Sequence, residues 1–129
     1  MSCPSLSNLG RTWLATNPRD ILLLPAVVIG EIYFGIERMP AGRRRDTLMT
    51  FAEDFISSGG PGRVLSFGED EARTYAKIGA YRQHLGRPIA QLDAQIAAIA
   101  AVRGLPVVTR NVADFEKCGV EIINPWEAR

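Results

Sequence analysis

Gly86-Arg87-Pro88-Ile89-Ala90-Gln91-Leu92-Asp93-Ala94-Gln95-Ile96-Ala97-Ala98-Ile99-Ala100 is followed almost at once by Gly104-Leu105-Pro106-Val107-Val108-Thr109-Arg110-Asn111, and then by Asp114-Phe115. The first stretch reads as an alanine-rich helix that a carboxylate opens and that Gly104 stops after about Arg103. The second reads as a short apolar strand, Pro106 to Val108, ending in a polar cluster. In a parallel α/β fold, strand ends and helix starts meet along one edge, and ligands bind there.

The flanking chain repeats the alternation. Ile21 to Leu24 is a continuous apolar run, as in a strand buried on both faces, and Pro25 ends it. Val27 to Arg38 reads as a heavily apolar helix that carries one acid, Glu31. A helix with Leu48, Phe51, Ala52 and Phe55 follows, until Ser57-Ser58-Gly59-Gly60-Pro61-Gly62 breaks it. Val64 to Phe67 is a second strand. Glu69, Asp70 and Glu71 crowd the first turn of the next helix, where negative charge suits the helix dipole, and that helix closes near Gly86. Val120 to Ile123 is a further strand, and Asn124-Pro125-Trp126 caps the end. Upstream, Leu6, Leu9, Trp13 and Leu14 recur at helical spacing, and Asn17-Pro18 stops that helix. Strands separated by helices imply a parallel sheet with right-handed crossovers, here in a chain that opens on a helix with no strand before it.

The 129 residues suit a single domain over 1–129, and 47% hydrophobic residues suffice for a core. Fifteen basic residues against fourteen acidic ones leave a net charge of +1, which argues against a strongly basic nucleic-acid binder but not against local grip on a few phosphates. Cys3 and Cys118 make no disulfide framework, so a reducing, cytoplasmic setting is the simplest expectation. His84 is the lone histidine, and no Cys or His spacing suits zinc. No basic and apolar leader is evident, and no apolar run is long enough to span a bilayer.

Several polar residues are candidates for chemistry. Glu31 shares a helical stripe with Val27, Val28 and Phe34, where a carboxylate is either a tolerated boundary residue or a metal ligand facing a cleft. Asp93 is either an N-cap or part of a site. Thr109, Asn111 and Asp114 are either turn formers or oxygen donors to a metal and its water. Arg43-Arg44-Arg45 reads as solvated surface, with a phosphate grip as the alternative. Arg87 and Arg110 flank the acids and are better placed for phosphate contact. Gly59-Gly60-Pro61-Gly62 lacks the lysine of a P-loop and reads as a turn.

Taken together, four blocks resemble the PIN-domain ribonucleases, specifically the VapC-type toxins of bacterial toxin–antitoxin pairs. They are Gly30-Glu31-Ile32 with Gly35-Ile36, Gly86-Arg87-Pro88-Ile89 with Asp93-Ala94-Gln95-Ile96-Ala97, Thr109-Arg110-Asn111-Val112 with Asp114-Phe115, and Ile123-Asn124-Pro125-Trp126. Any one block is weak, but their order and spacing from about Pro4 to Trp126 are specific. The resemblance implies an α/β three-layer sandwich, a parallel sheet flanked by helices. It implies a cluster of acids binding Mg²⁺ or Mn²⁺, with the metal activating water against an RNA phosphodiester. Glu31 and Asp93 match the family's second and third acids. The fourth position falls on Asn111 or Asp114, with Asp114 favoured as the charged contributor and Asn111 as a neutral ligand or water-orienting residue. Arg87, Arg110 and Thr109 would face the RNA. A VapB-like antitoxin and a homodimer are the implied partners.

One departure stands out. Family members open with an apolar strand ending in an aspartate, in the middle of the sheet, and here that segment is absent. Its loss would remove a metal ligand and leave two neighbouring strands unpaired. The expectation is a true start further upstream. A degraded remnant is the alternative, and the chain as it stands is then expected to fold poorly and cleave little. Its function would then be that of a catalytically inactive PIN domain that only binds or titrates an antitoxin.

Overall fold

The structure, a computed structural model, describes residues 12–15, 22–58 and 63–124, and of residues 12–15 and 22 the backbone only. Strands Thr12–Ala15 (β1) and Leu22–Pro25 (β2) come first, followed by helices Ala26–Glu37 (α1) and Arg43–Ser57 (α2). Strand Val64–Leu65 (β3), helices Glu69–His84 (α3) and Gln91–Arg103 (α4), strand Val107–Thr109 (β4), a 3-10 turn at Val112–Phe115 and strand Ile122–Ile123 (β5) complete the order.

The sheet runs β3-β2-β1-β4-β5. β2 pairs parallel with β3 and β4 pairs parallel with β5, as alternating strands and helices require. The middle of the sheet corrects the expectation from sequence. Thr12–Ala15 occupies it as a strand, antiparallel to β2 with Leu14 opposite Leu23, and antiparallel to β4 with Thr12 opposite Thr109. The two strands expected to lack a partner therefore have one. Trp13 and Leu14, assigned to a helix by their spacing, lie in this strand, while Leu6 and Leu9 fall outside the described residues. The physical reason is non-local. The inner edges of β2 and β4 each offer backbone groups that must be satisfied, and a Thr-Trp-Leu segment suits a pleated surface. Because β1 runs against its neighbours, its start rather than its end lies at the edge where β2 and β4 finish.

The core is built around α4. Ile96, Ala97, Ala98, Ile99 and Ala100 are all buried, so this helix is covered nearly all round. Its small residues let Val28, Ile32 and Ile36 of α1, Ile78 of α3 and Val107 of β4 pack close to it. Both ends of the connection into and out of α4 use glycine where a left-handed backbone is required. Gly86 (φ +74°) closes α3, with Gly86 N–H donating to Gln83 O and Arg87 N–H to Arg82 O. Gly104 (φ +66°) closes α4 in the same way, with Leu105 N–H donating to Ala100 O and Gly104 N–H to Ala101 O. No helix among the described residues is long and apolar enough to cross a membrane.

Candidate active site

Asp93 and Asp114 reach one edge of the sheet from different elements. Asp93 sits in the first turn of α4, the third helical residue after Ala90, which precedes the helix and offers no capping side chain. Asp93 is therefore not the N-cap. Helix N-terminal charge favours its ionised form, but burial wins. Burial, and behind it the negative charge of Asp114, pushes the Asp93 carboxyl up to about 6, with Arg82 pulling the other way.

Asp114 follows β4 on the 3-10 turn Val112–Phe115. Phe115 pins the turn by burying its ring, and Asp114 N–H donates to Asn111 O. Asn111 is exposed, and its N–H donates to the Thr109 hydroxyl at 3.0 Å. That bond corrects the placement of Thr109 at the RNA surface. Its side chain is 0% exposed, so it shapes the turn that presents Arg110, Asn111 and Asp114 and cannot touch a strand of RNA.

Glu31 lies on α1 outside the buried stripe. Val28, Ile32, Gly35 and Ile36 face the core, whereas Phe34, on the stripe of Glu31, is 58% exposed. Of the residues that share its stripe, Val28 is buried and Val27 packs against the core while Phe34 is open to solvent, so Glu31 stands at the boundary of the buried face, exposed. Among the described residues, no three Asp, Glu, His or Cys side chains stand close enough together to enclose a metal ion. The part of the site that fits a hard divalent cation is the Asp93–Asp114 pair, two sources of oxygen donors with the negative charge of Asp114 acting on Asp93. Arg110, between Thr109 and Asn111, is exposed. Arg87 is exposed and pairs with Glu116 at 2.9 Å.

Sequence reasoning missed Arg82. It is 4% exposed, in the last turns of α3. Its Nε donates to Arg87 O at 2.6 Å, and one terminal nitrogen donates to Asp114 O and Glu116 O, each at 3.0 Å. The same nitrogen lies 3.6 Å from the Cys118 sulfur. Burial pushes the Cys118 thiol up, against the pull of Arg82, so the sulfur is a neutral neighbour. A signal did exist, because Arg82 continues the buried stripe four residues beyond Ile78, where an apolar residue belongs.

With two acids and a polar turn at the carboxyl edge of an α/β sheet, the comparison with known proteins is direct. The family model described as PIN domain matches residues 8–120. The chain belongs to the PIN domain family. "VapC ribonuclease Y4jK" of Sinorhizobium fredii (strain NBRC 101917 / NGR234) is 38% identical over 115 residues, covering 89% of this chain and 82% of the relative. The crystal structure of FitAcB from Neisseria gonorrhoeae superposes with a TM-score of 0.75 at 33% identity, over 82% of this chain and 76% of that one. A member of the VapBC family of toxin–antitoxin systems from Mycobacterium tuberculosis gives a TM-score of 0.65 at 28% identity, over 79% and 80% of the two chains. The PIN-like α/β architecture expected from the sequence agrees with these neighbours.

Proposed function

We propose that this PIN domain, a single unit over residues 1–129, is the toxin of a type II toxin–antitoxin system, a divalent-metal-dependent endoribonuclease acting on RNA phosphodiester bonds in the cytoplasm. The observation that carries the reading is that Asp93, at the start of α4, feels the negative charge of Asp114, on the turn after β4, in a chain with a relative named a ribonuclease. Asp93 and Asp114, joined by Glu31 from α1, would hold Mg²⁺ or Mn²⁺, with Asn111 as a neutral ligand or as a donor that orients water. When bound, the metal supplies a Lewis acid that activates water and offsets charge on the phosphate. The chain's own groups then bind and orient. Arg110 would contact a phosphate beside the acids, and Arg87 would do so by exchanging Glu116 for the RNA backbone. Thr109 holds the turn on which Arg110 and Asn111 stand. A VapB-like antitoxin would restrain the toxin, and a homodimer is the expected assembly.

A second reading, antitoxin binding without cleavage, has its own observation. β1 fills the middle of the sheet in reverse, its residues Thr12-Trp13-Leu14-Ala15 include no carboxylate, and no three-acid group forms among the described residues. Calorimetric titration of the purified chain with Mg²⁺ separates the two. The nuclease reading expects one saturable site that is weakened in Glu31→Gln and lost in Asp93→Asn. A flat titration of the wild-type chain, with no cleavage of RNA, would leave the binding reading standing instead.

A further inference from the structure

A buried guanidinium is expensive unless its donors are satisfied and its charge is countered. Arg82 sets Nε and one terminal nitrogen on main-chain carbonyls from two separate segments. Arg87 lies in the connection that leads into α4 and Asp93, and Asp114 and Glu116 lie on the turn after β4, more than thirty residues away from Arg82 in sequence. Among the described residues Arg82 makes no ion pair, and its positive charge acts on the Asp93 carboxyl and on the Cys118 thiol. The chain therefore places a fixed cation behind its two candidate ligands, bonded to the main chain of Asp114 itself.

We infer that Arg82 is a positioning residue, which ties the segment that delivers Asp93 to the turn that delivers Asp114 and so sets the spacing of the two carboxylates. The inference rests on the nuclease reading for its purpose, but the tie itself is a property of the chain. The geometry is specific to arginine. Its planar fork spans acceptors on two sides, with Nε towards Arg87 and a terminal nitrogen towards Asp114 and Glu116, whereas an ammonium is a single point. The Gly86 turn supports the same tie from the other side, because Arg87 N–H donates back to Arg82 O. The exposed Arg87–Glu116 pair joins the same two segments at the surface, where solvent weakens it.

The test uses the full chain in four forms: wild type, Arg82→Gln, Arg82→Lys and Glu116→Gln. Mn²⁺ binding is read by electron paramagnetic resonance, and backbone hydrogen exchange is read on the metal-free proteins. Arg82→Gln is expected to weaken Mn²⁺ binding at least about tenfold and to speed exchange at residues 86–90 and 112–118, while α1 and α2 keep their protection. Arg82→Lys is expected to recover part of both, and Glu116→Gln to leave both as in wild type. Native Mn²⁺ affinity with native exchange in Arg82→Gln would overturn the inference and leave the nuclease reading intact. If Arg82→Gln does not fold, the same native values in Arg82→Lys would overturn it. If the wild-type chain binds no Mn²⁺, the nuclease reading fails and exchange alone decides. Opening confined to the two segments supports the tie, and unchanged or uniformly faster exchange rules it out.

Discussion

The two ends of the α3–α4 hairpin carry the same kinds of group and use them in opposite ways. At one end Glu71, in the first turn of α3, accepts Gly68 N–H at 2.9 Å and meets Arg103 from the last turn of α4 at 3.2 Å. Arg103 also donates to Ser66 O. The Gly68 N–H above all, with the N–H of Glu71 itself and Arg103 adding to it, holds the Glu71 carboxyl below its usual range. At the other end Arg82 is satisfied by carbonyls, and Asp93 is left half-buried with another acid for company, its carboxyl pushed up to about 6. The first arrangement is a closed one that stabilises the hairpin. The second sets two like charges against each other with Arg82 as only a partial counterweight, an arrangement that favours a bound cation. Both ends hold an arginine and a carboxylate; what separates them is whether the two are paired.

That contrast can be broken most forcefully at the open end. Asp93→Asn is expected to lower metal-dependent RNA cleavage by about a hundredfold or more, with the far-ultraviolet dichroism of the folded chain retained. The closed end should answer in stability instead. Glu71→Ala removes a buried carboxylate from a backbone donor and from Arg103, and is expected to lose about 2 kcal/mol in denaturant unfolding while cleavage per folded molecule stays as in wild type.

The pH response sharpens the contrast because the signs differ. Asp93 has a folded value above its ordinary 3.8, so ionising it opposes folding, and the metal-free protein loses stability from this group as pH rises from about 4 through about 6. Asp93→Asn should therefore stabilise the metal-free chain at pH 7 by about 1 kcal/mol, a figure reduced for solvent screening. Divalent metal should stabilise the wild type and not the variant. Glu71 acts the other way. Its folded value lies below 4.5, so its contribution is present above that pH and is lost as pH falls through the lowered value. The smallest effect belongs to the surface tie. Glu116→Gln should change unfolding free energy by less than about 0.5 kcal/mol, because both partners of the Arg87–Glu116 pair are open to solvent.

Local signals carried much of this molecule. The glycine stops at Gly86 and Gly104, the apolar run before Pro25 and the alanine-rich α4 all come from interactions a few residues apart, and each element lies close to where its pattern puts it. Asp93 and Asp114 were legible for the same reason, as acids at a helix start and after a strand. What escaped depends on distant partners. The helical spacing of Trp13 and Leu14 is real, yet their backbone pairs with β2 and β4, the latter more than ninety residues away, and that pairing decides their structure. Arg82 looks like one of many surface arginines until the Asp114–Cys118 segment folds over it. Thr109 looks exposed in a polar cluster because the burial of the last residue of a three-residue strand depends on neighbours distant in sequence.

The most direct test of the central claim is cleavage of RNA by the purified full chain, with Mg²⁺ or Mn²⁺ and with chelator, for wild type, Asp93→Asn and Asp114→Asn. Metal-dependent cleavage by the wild type that chelator and either substitution abolishes is the expected result. Cleavage by both variants at the wild-type rate, or by the wild type in chelator, would contradict an acid pair that acts by holding a cation.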